Sequence, residues 1–106
     1  MEEWKVIQIE NLQDYSVSNL GRVKSNKFGK EKILKQNRMY QGYWTIKLKL
    51  NKCYFVHRLV ASHFIENKNN LSDVDHINGN KSDNRVINLQ WLSRKNNVIK
   101  YYSNKT

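Results

Sequence analysis

The sequence predicts an α+β protein, a β-rich amino-terminal module packed on a core of strand, loop, strand and helix. Three observations predict it. Residues 43–50 alternate, with Trp44, Ile46, Leu48 and Leu50 on one face and Tyr43, Thr45, Lys47 and Lys49 on the other, the period of a strand with one buried face. Residues 57–66 bring Leu59, Val60, His63 and Phe64 together at helical spacing. The last third holds two short apolar runs around a polar stretch containing Asn78-Gly79, followed by a helical segment.

In chain order, residues 4–9 (Trp4, Val6, Ile7, Ile9) and 14–18 read as short strands, Asn19-Leu20-Gly21 as a turn and residues 22–25 as a third strand. Residues 27–35 are basic and broken by Gly29, a hairpin loop running into a strand at Lys32-Ile33-Leu34. Asn51-Lys52 turns the alternating strand into residues 53–56, making a hairpin with one core face and one face of lysines and tyrosine. The helix over 57–66 ends at residues 67–70, where the apolar periodicity stops. His63 on its stripe reads as a core histidine, and His57 at its start as a capping or packing one. Residues 74–77 and 89–92 are strands. Ser93 is placed to cap a helix over 94–102 that turns Val98, Tyr101 and Tyr102 inward. Cys53 reads as a small, partly buried strand residue, and Trp44 and Trp91 as core. There is no proline, so turns rest on the four glycines and on Asn, Asp and Ser. The expected division is a β-rich module over 1–52 and a second unit over 53–106.

Lys and Arg number 19 against 9 Asp and Glu, a net charge of +10. Such an excess implies a polyanionic partner, nucleic acid first, because cations that neutralise phosphates release condensed counterions. A membrane is disfavoured: no apolar run approaches the length of a spanning helix, and no basic amphipathic helix has a clean lipid face. Lys24, Lys27, Lys30, Lys32 and Lys35 crowd twelve positions beside one acid, Glu31, which suits a surface laid against DNA. The single cysteine excludes a disulfide framework and any multi-cysteine zinc site. With the acidic start Met1-Glu2-Glu3-Trp4-Lys5, it points to a reducing cytoplasm.

The chemistry gathers in Val74-Asp75-His76-Ile77-Asn78-Gly79-Asn80, followed by Asn84-Arg85, Asn88-Leu89, Trp91 and Asn97. Phosphodiester hydrolysis needs an activated water, a cation on the scissile phosphate and leaving oxygen, and groups that hold the backbone in line. Asp75 is a hard oxygen ligand suited to Mg²⁺ or Mn²⁺. His76 carries an imidazole, the side chain that exchanges protons near neutral pH. Asn97 offers a second ligand through its amide oxygen, on the helix side shared with Arg94 and Tyr101. Asn88 opens the second strand, placed to hydrogen-bond across the loop and orient His76. Successive strand residues point to opposite faces, so Asp75 and His76 share a site only if the strand is distorted or the phosphate sits across its edge. Arg94 and Lys95 stand in a first helical turn, where the macrodipole disfavours cations; a phosphate held there would account for them. Arg85, on the loop, is a further candidate phosphate contact.

Residues 56–97 resemble the HNH nucleases, the ββα-metal fold, and within them the single-histidine branch of phage and intron-encoded homing endonucleases. The matching residues are Val56-His57-Arg58-Leu59-Val60-Ala61, Asp75-His76-Ile77-Asn78-Gly79-Asn80, Asn84-Arg85, Asn88-Leu89, Trp91 and Asn97. The resemblance implies a metal-dependent endonuclease that nicks or cuts double-stranded DNA with one Mg²⁺ or Mn²⁺. It implies Asp75 and Asn97 as metal ligands, His76 as general base and Asn88 as the structural middle residue. Trp4, the run from Tyr15 through Gly21-Arg22 to Ser25, Ile33-Leu34-Lys35 and Gly42-Tyr43 resemble the small module that often precedes such domains. The implied setting is a phage-encoded protein in the cytoplasm of a bacterial host. Arg94 stands where many relatives carry a histidine. The sequence stops soon after Asn97, where larger relatives continue into a DNA-binding segment, so a short or loose sequence preference is expected.

Asp75-His76 alone also reads as a polar loop pair without chemistry; the joint spacing with Asn88 and Asn97, and the charge, favour a site. The alternative of another class is a non-catalytic DNA-binding or regulatory phage protein that keeps the fold. Single-stranded RNA binding lacks an aromatic stacking motif. A homodimer and a phage packaging partner both stay open.

Overall fold

The computed structural model describes residues 1–103. Strands β1 (Trp4–Val6), β2 (Tyr15–Ser18), β3 (Val23–Ser25) and β4 (Lys32–Ile33) form an antiparallel sheet in that order. The turn from β2 to β3 is tied by the Ser18 hydroxyl, which accepts the backbone N–H groups of Leu20 (3.2 Å) and Arg22 (3.1 Å). Strands β5 (Asn37–Arg38), β6 (Trp44–Lys47) and β7 (Cys53–Phe55) form a second antiparallel sheet. Helix α1 (Val56–Phe64) follows directly. Strands β8 (Asp73–His76) and β9 (Leu89–Leu92) pair antiparallel, Asp73 opposite Leu92 and His76 opposite Leu89, and helix α2 (Arg94–Ser103) closes the described chain. The class is the α+β one predicted.

One apolar cluster joins these parts. Val17 and Val23 of the first sheet, Ile46 of the second, Val56, Leu59, Val60 and Ala61 of α1, and Val74 and Leu89 of the β8–β9 hairpin are buried together. Helix α1 lies between β2, β6 and β9 and carries most of that contact. Residue 52, the expected division, falls in the turn of the β6–β7 hairpin, where Lys47 pairs with Cys53.

Several local expectations are corrected. The alternating strand ends at Lys47, and Leu50 leaves the buried stripe, 85% exposed. Tight hairpins of this kind need left-handed backbone at both central turn residues. Leu50 (φ 63°) and Asn51 (φ 58°) supply it, with the Lys52 N–H donating to the Lys49 carbonyl (3.5 Å). Lys27-Phe28-Gly29-Lys30 makes the same turn, with Phe28 at φ 56° and Gly29 at φ 71° and Lys30 N–H on Lys27 O (3.1 Å). Left-handed backbone at a side chain larger than glycine costs about 1–2 kcal/mol. Strand β5 escaped prediction because two polar residues show no periodicity.

Helix α2 begins as expected, the Ser93 hydroxyl accepting the Asn96 N–H (3.1 Å). Its rotation is not as expected: Val98, Tyr101 and Tyr102 are 45%, 54% and 66% exposed. The helix rests on β8 through the polar stripe Arg94, Asn97 and Lys100. Cys53 is exposed. His63 is half-buried and acts as a tie: its Nε2 accepts the Gln8 N–H (2.9 Å) and its Nδ1 donates to the Leu59 carbonyl (2.8 Å). Trp44 and Trp91 pack against the core and give their indole N–H groups to Ser82 Oγ (2.9 Å) and the Ile65 carbonyl (3.0 Å).

Candidate active site

Alternation along β8 sorts its side chains. Asp73 and Asp75 turn to α2, while Val74 and His76 turn to the opposite side. Asp73 Oδ2 accepts Asn97 Nδ2 and Arg94 Nε, both at 2.9 Å, and its Oδ1 accepts the Ser72 hydroxyl (2.9 Å). These bonds, that of Asn97 foremost, outweigh burial and hold the Asp73 carboxyl below the usual carboxylate range. Asp75 Oδ2 accepts Gln90 Nε2 from the facing strand (2.8 Å) and the Lys100 ammonium (2.6 Å). Lys100 Nζ also reaches the carbonyls of His76 (3.2 Å) and Ile77 (3.1 Å), so three oxygens cradle one cation.

His76 is buried, and its Nε2 lies 2.6 Å from Asn84 Oδ1, itself buried. An amide oxygen only accepts, so Nε2 carries the proton and Nδ1 is the basic nitrogen. Behind the ring, His57 stands 5.0 Å away between centroids, and Tyr43 stacks on His57 at 5.2 Å. Asn88 crosses the loop as expected: its Oδ1 accepts the Asn78 N–H (3.0 Å) and its Nδ2 donates to the Asp83 carbonyl (2.9 Å). The ring of His76, however, is bonded by Asn84. Asn84 is in turn backed by the amino-terminal module: a Cβ on Gly21 would lie 3.0 Å from Asn84 Cβ, and the Val86 N–H donates to the Asn19 carbonyl (2.9 Å).

Burial, then His76 and Arg58, push His57 down to about 4 from 6.5, and its Nδ1 has no hydrogen-bond partner. Between those values the unfolded chain takes up a proton that the folded chain refuses. The stabilisation is therefore complete above pH 6.5 and is lost as pH falls toward 4. Urea unfolding across this range should show roughly 2–4 kcal/mol of lost stability from this group. His57→Phe should flatten that slope; an unchanged slope would refute the assignment.

Asp75, His76, Asn97 and Lys100 line one cavity of about 320 Å³, closed on one side by Tyr43. The β8–β9 ladder stays regular through His76. No distortion brings the adjacent pair together; the cavity wraps the end of the strand. A neighbouring cleft of about 510 Å³ reaches His57, Asp73 and Arg94 and shares Asn97. The oxygen donors of Asp75 and Asn97 fit a hard divalent cation. The carbonyls and carboxylate around Lys100 Nζ already make a cation cradle. Among the described residues no three His, Cys, Asp or Glu side chains converge on a metal position. A sparse oxygen set of this kind suits an ion that keeps several waters.

The predicted DNA contacts are dispersed. Arg85 is clamped by Asp83 through two hydrogen bonds of 2.8 Å, which hold the Asp83 carboxyl down at about 2. Arg94 pairs with Asp73, so an acid accounts for its place in the first turn, yet it remains 77% exposed. Lys24 is largely covered between Glu31 (3.0 Å) and the Trp4 ring (4.4 Å), and Lys27 leans over Tyr15 (5.0 Å). Lys30, Lys32 and Lys95 are exposed. Asp73, Asn84 and Lys100 were not read from the sequence as site residues. Asn84 had a signal in the Asn84-Arg85 match; Lys100 and Asp73 had none.

Residues 2–49 match the NUMOD4 motif and residues 54–99 match the HNH endonuclease family. The chain belongs to the HNH endonuclease family, with a NUMOD4 motif ahead of the nuclease domain. It is 42% identical over 107 residues to the DNA endonuclease I-HmuI of Bacillus phage SP01, covering 98% of this chain and 60% of that protein. It is 43% identical over 103 residues to the uncharacterized HNH endonuclease L247 of Acanthamoeba polyphaga mimivirus, covering 92% of this chain and 25% of the relative. A solved structure of DNA binding and cleavage by the HNH homing endonuclease I-HmuI matches with a TM-score of 0.83 at 42% identity, over 98% of this chain and 60% of that one. The chain thus spans between a quarter and three-fifths of the length of these relatives.

Proposed function

We propose that this chain hydrolyses phosphodiester bonds in double-stranded DNA, nicking or cutting it with one Mg²⁺ or Mn²⁺. The observation that carries the reading is the convergence of Asp75, His76 and Asn97 on one cavity. Asp75 and Asn97 would hold the metal, which when bound would neutralise the phosphate and stabilise the leaving 3′ oxygen. His76, its Nε2–H fixed by Asn84, accepts the proton of the attacking water at Nδ1. Asn88 braces the loop that follows His76. Arg94 and Lys95, exposed at the mouth of α2, track the DNA backbone. Lys100, 2.6 Å from Asp75 Oδ2, neutralises that carboxylate in the metal-free protein. The relatives are of phage and viral origin, which supports a phage-encoded protein acting in its host. Among the described residues no helix is long and apolar enough to cross a membrane.

The Lys100–Asp75 pair favours one competing reading, a DNA-binding protein whose carboxylate is permanently satisfied by its own lysine. Two measurements separate them. Supercoiled plasmid should become nicked or linear with Mg²⁺ or Mn²⁺ and stay intact in EDTA. Free Mn²⁺, followed by electron paramagnetic resonance, should fall when protein is added. Salt-sensitive DNA binding without cleavage and without Mn²⁺ uptake would establish the binding-only protein.

A further inference from the structure

Two turns of this chain share a composition that the fold does not explain. Lys27-Phe28-Gly29-Lys30 ends the β3–β4 hairpin, and Lys49-Leu50-Asn51-Lys52 ends the β6–β7 hairpin. Both are tight turns with two left-handed central residues, and both put a large apolar side chain at the first of them. That position ordinarily belongs to Asn, Asp or Gly. Phe28 and Leu50 therefore hold a disfavoured backbone, yet neither is repaid by burial: they are 98% and 85% exposed. Strained residues that nothing inside the fold rewards are typical of contact sites.

The surroundings specify the contact. Each apolar tip is flanked by lysine on both sides. Lys30, Lys49 and Lys52 are exposed, and Lys27 stands over the Tyr15 ring. Of the acids near the first turn, Glu31 is already paired with Lys24, and Asp14 lies near Lys27. The strands of a hairpin lie about 5 Å apart, so each tip is a narrow wedge with an apolar point and cationic shoulders. Duplex DNA is complementary to that shape: apolar wedges enter between base steps while cations meet the flanking phosphates. An anionic lipid surface would share the charge pattern, but interfacial binding grows with buried apolar area, and one side chain per tip offers little of it.

We propose that Phe28 and Leu50 are wedges that press into base steps of duplex DNA, with the flanking lysines on the phosphates. The proposal rests on the DNA reading above and adds contacts away from the reacting centre.

Both positions allow a substitution that improves the turn while removing the wedge. Phe28→Asn and Leu50→Asn suit left-handed backbone, so the melting temperature should hold or rise. Anisotropy titration of a labelled mixed-sequence duplex, in EDTA so that nothing is cut, should show each variant binding roughly five- to tenfold more weakly, the lower end for a lost base-stacking contact. Their effects should multiply in the double variant. The salt dependence should keep its slope, because no cation is removed. Wild-type protein should raise the fluorescence of 2-aminopurine placed in the duplex, and the double variant should not. A double variant that binds and unstacks DNA as wild type does would overturn the wedges and leave the nuclease reading intact. Wild-type protein that binds no duplex would overturn both. Loss of binding to phosphatidylserine vesicles, with DNA binding unchanged, would reassign the tips to a lipid surface.

Discussion

His76→Ala should lower plasmid nicking by roughly 10²–10⁴, the contribution of a positioned general base, while duplex affinity stays within about twofold of wild type. The ring is buried, so it offers DNA little contact surface. Its loss leaves Asn84 Oδ1 without its 2.6 Å partner, which should cost about 1–3 kcal/mol of stability and still leave a folded protein. Added imidazole should restore part of the rate in the presence of metal and none in EDTA, because the space left by the ring opens on the cavity shared with Asp75 and Asn97. Cleavage by the alanine variant at the wild-type rate would remove His76 from the mechanism.

Gly21→Ala should damage the site from the other module. Gly21 has φ +87°, and a methyl group there would lie 3.0 Å from Asn84 Cβ and 3.1 Å from the Asn84 carbonyl oxygen. Backbone strain and overpacking together should cost roughly 2–5 kcal/mol. The displaced group is the residue that holds the His76 ring, and a shift of an ångström at a reacting group costs about 10² in rate. Gly79→Ala is the control for stability: Gly79 has φ +77° but nothing within 4 Å of the added carbon, so only the strain remains. Urea midpoints at constant slope would separate the two variants. Equal losses in both would show that the Gly21–Asn84 contact has no consequence.

The sequence carries the polar groups that line the candidate site better than it carries their supports. Asp75, His76 and Asn97 were legible because each has a chemistry tied to its position in a local strand–loop–strand–helix pattern, and β9 was found at residues 89–92 as expected. Asn84 was not legible as the partner of His76. The turn that backs it lies in the first sheet, and only the tertiary fold brings Gly21 to it. Lys100 was one lysine among many until α2 was rotated. That rotation was misjudged because α2 has both an apolar stripe and a polar one at helical spacing, and the usual rule turns the apolar stripe inward. Here Asp73 and Asp75 on β8 demand the polar stripe instead. Leu50 fitted the alternation of its strand, but the hairpin needed it for a turn.

The polar seat of α2 has a thermodynamic consequence. The helix buries no residue fully and meets β8 largely through Arg94, Asn97 and Lys100, while α1 is fixed in the apolar core. Undocking α2 would exchange those hydrogen bonds for water and leave the core closed, the signature of a sub-global opening and not of unfolding. Asn97 departs with the helix, so under the proposed function the two-ligand site would exist only in the docked fraction of molecules. A metal held by Asp75 and Asn97 would then bind with its intrinsic affinity reduced by that fraction. By linkage, a divalent ion bound there would shift the population back toward the docked helix. Assembly of the proposed metal site and the local stability of the last helix would then be one equilibrium.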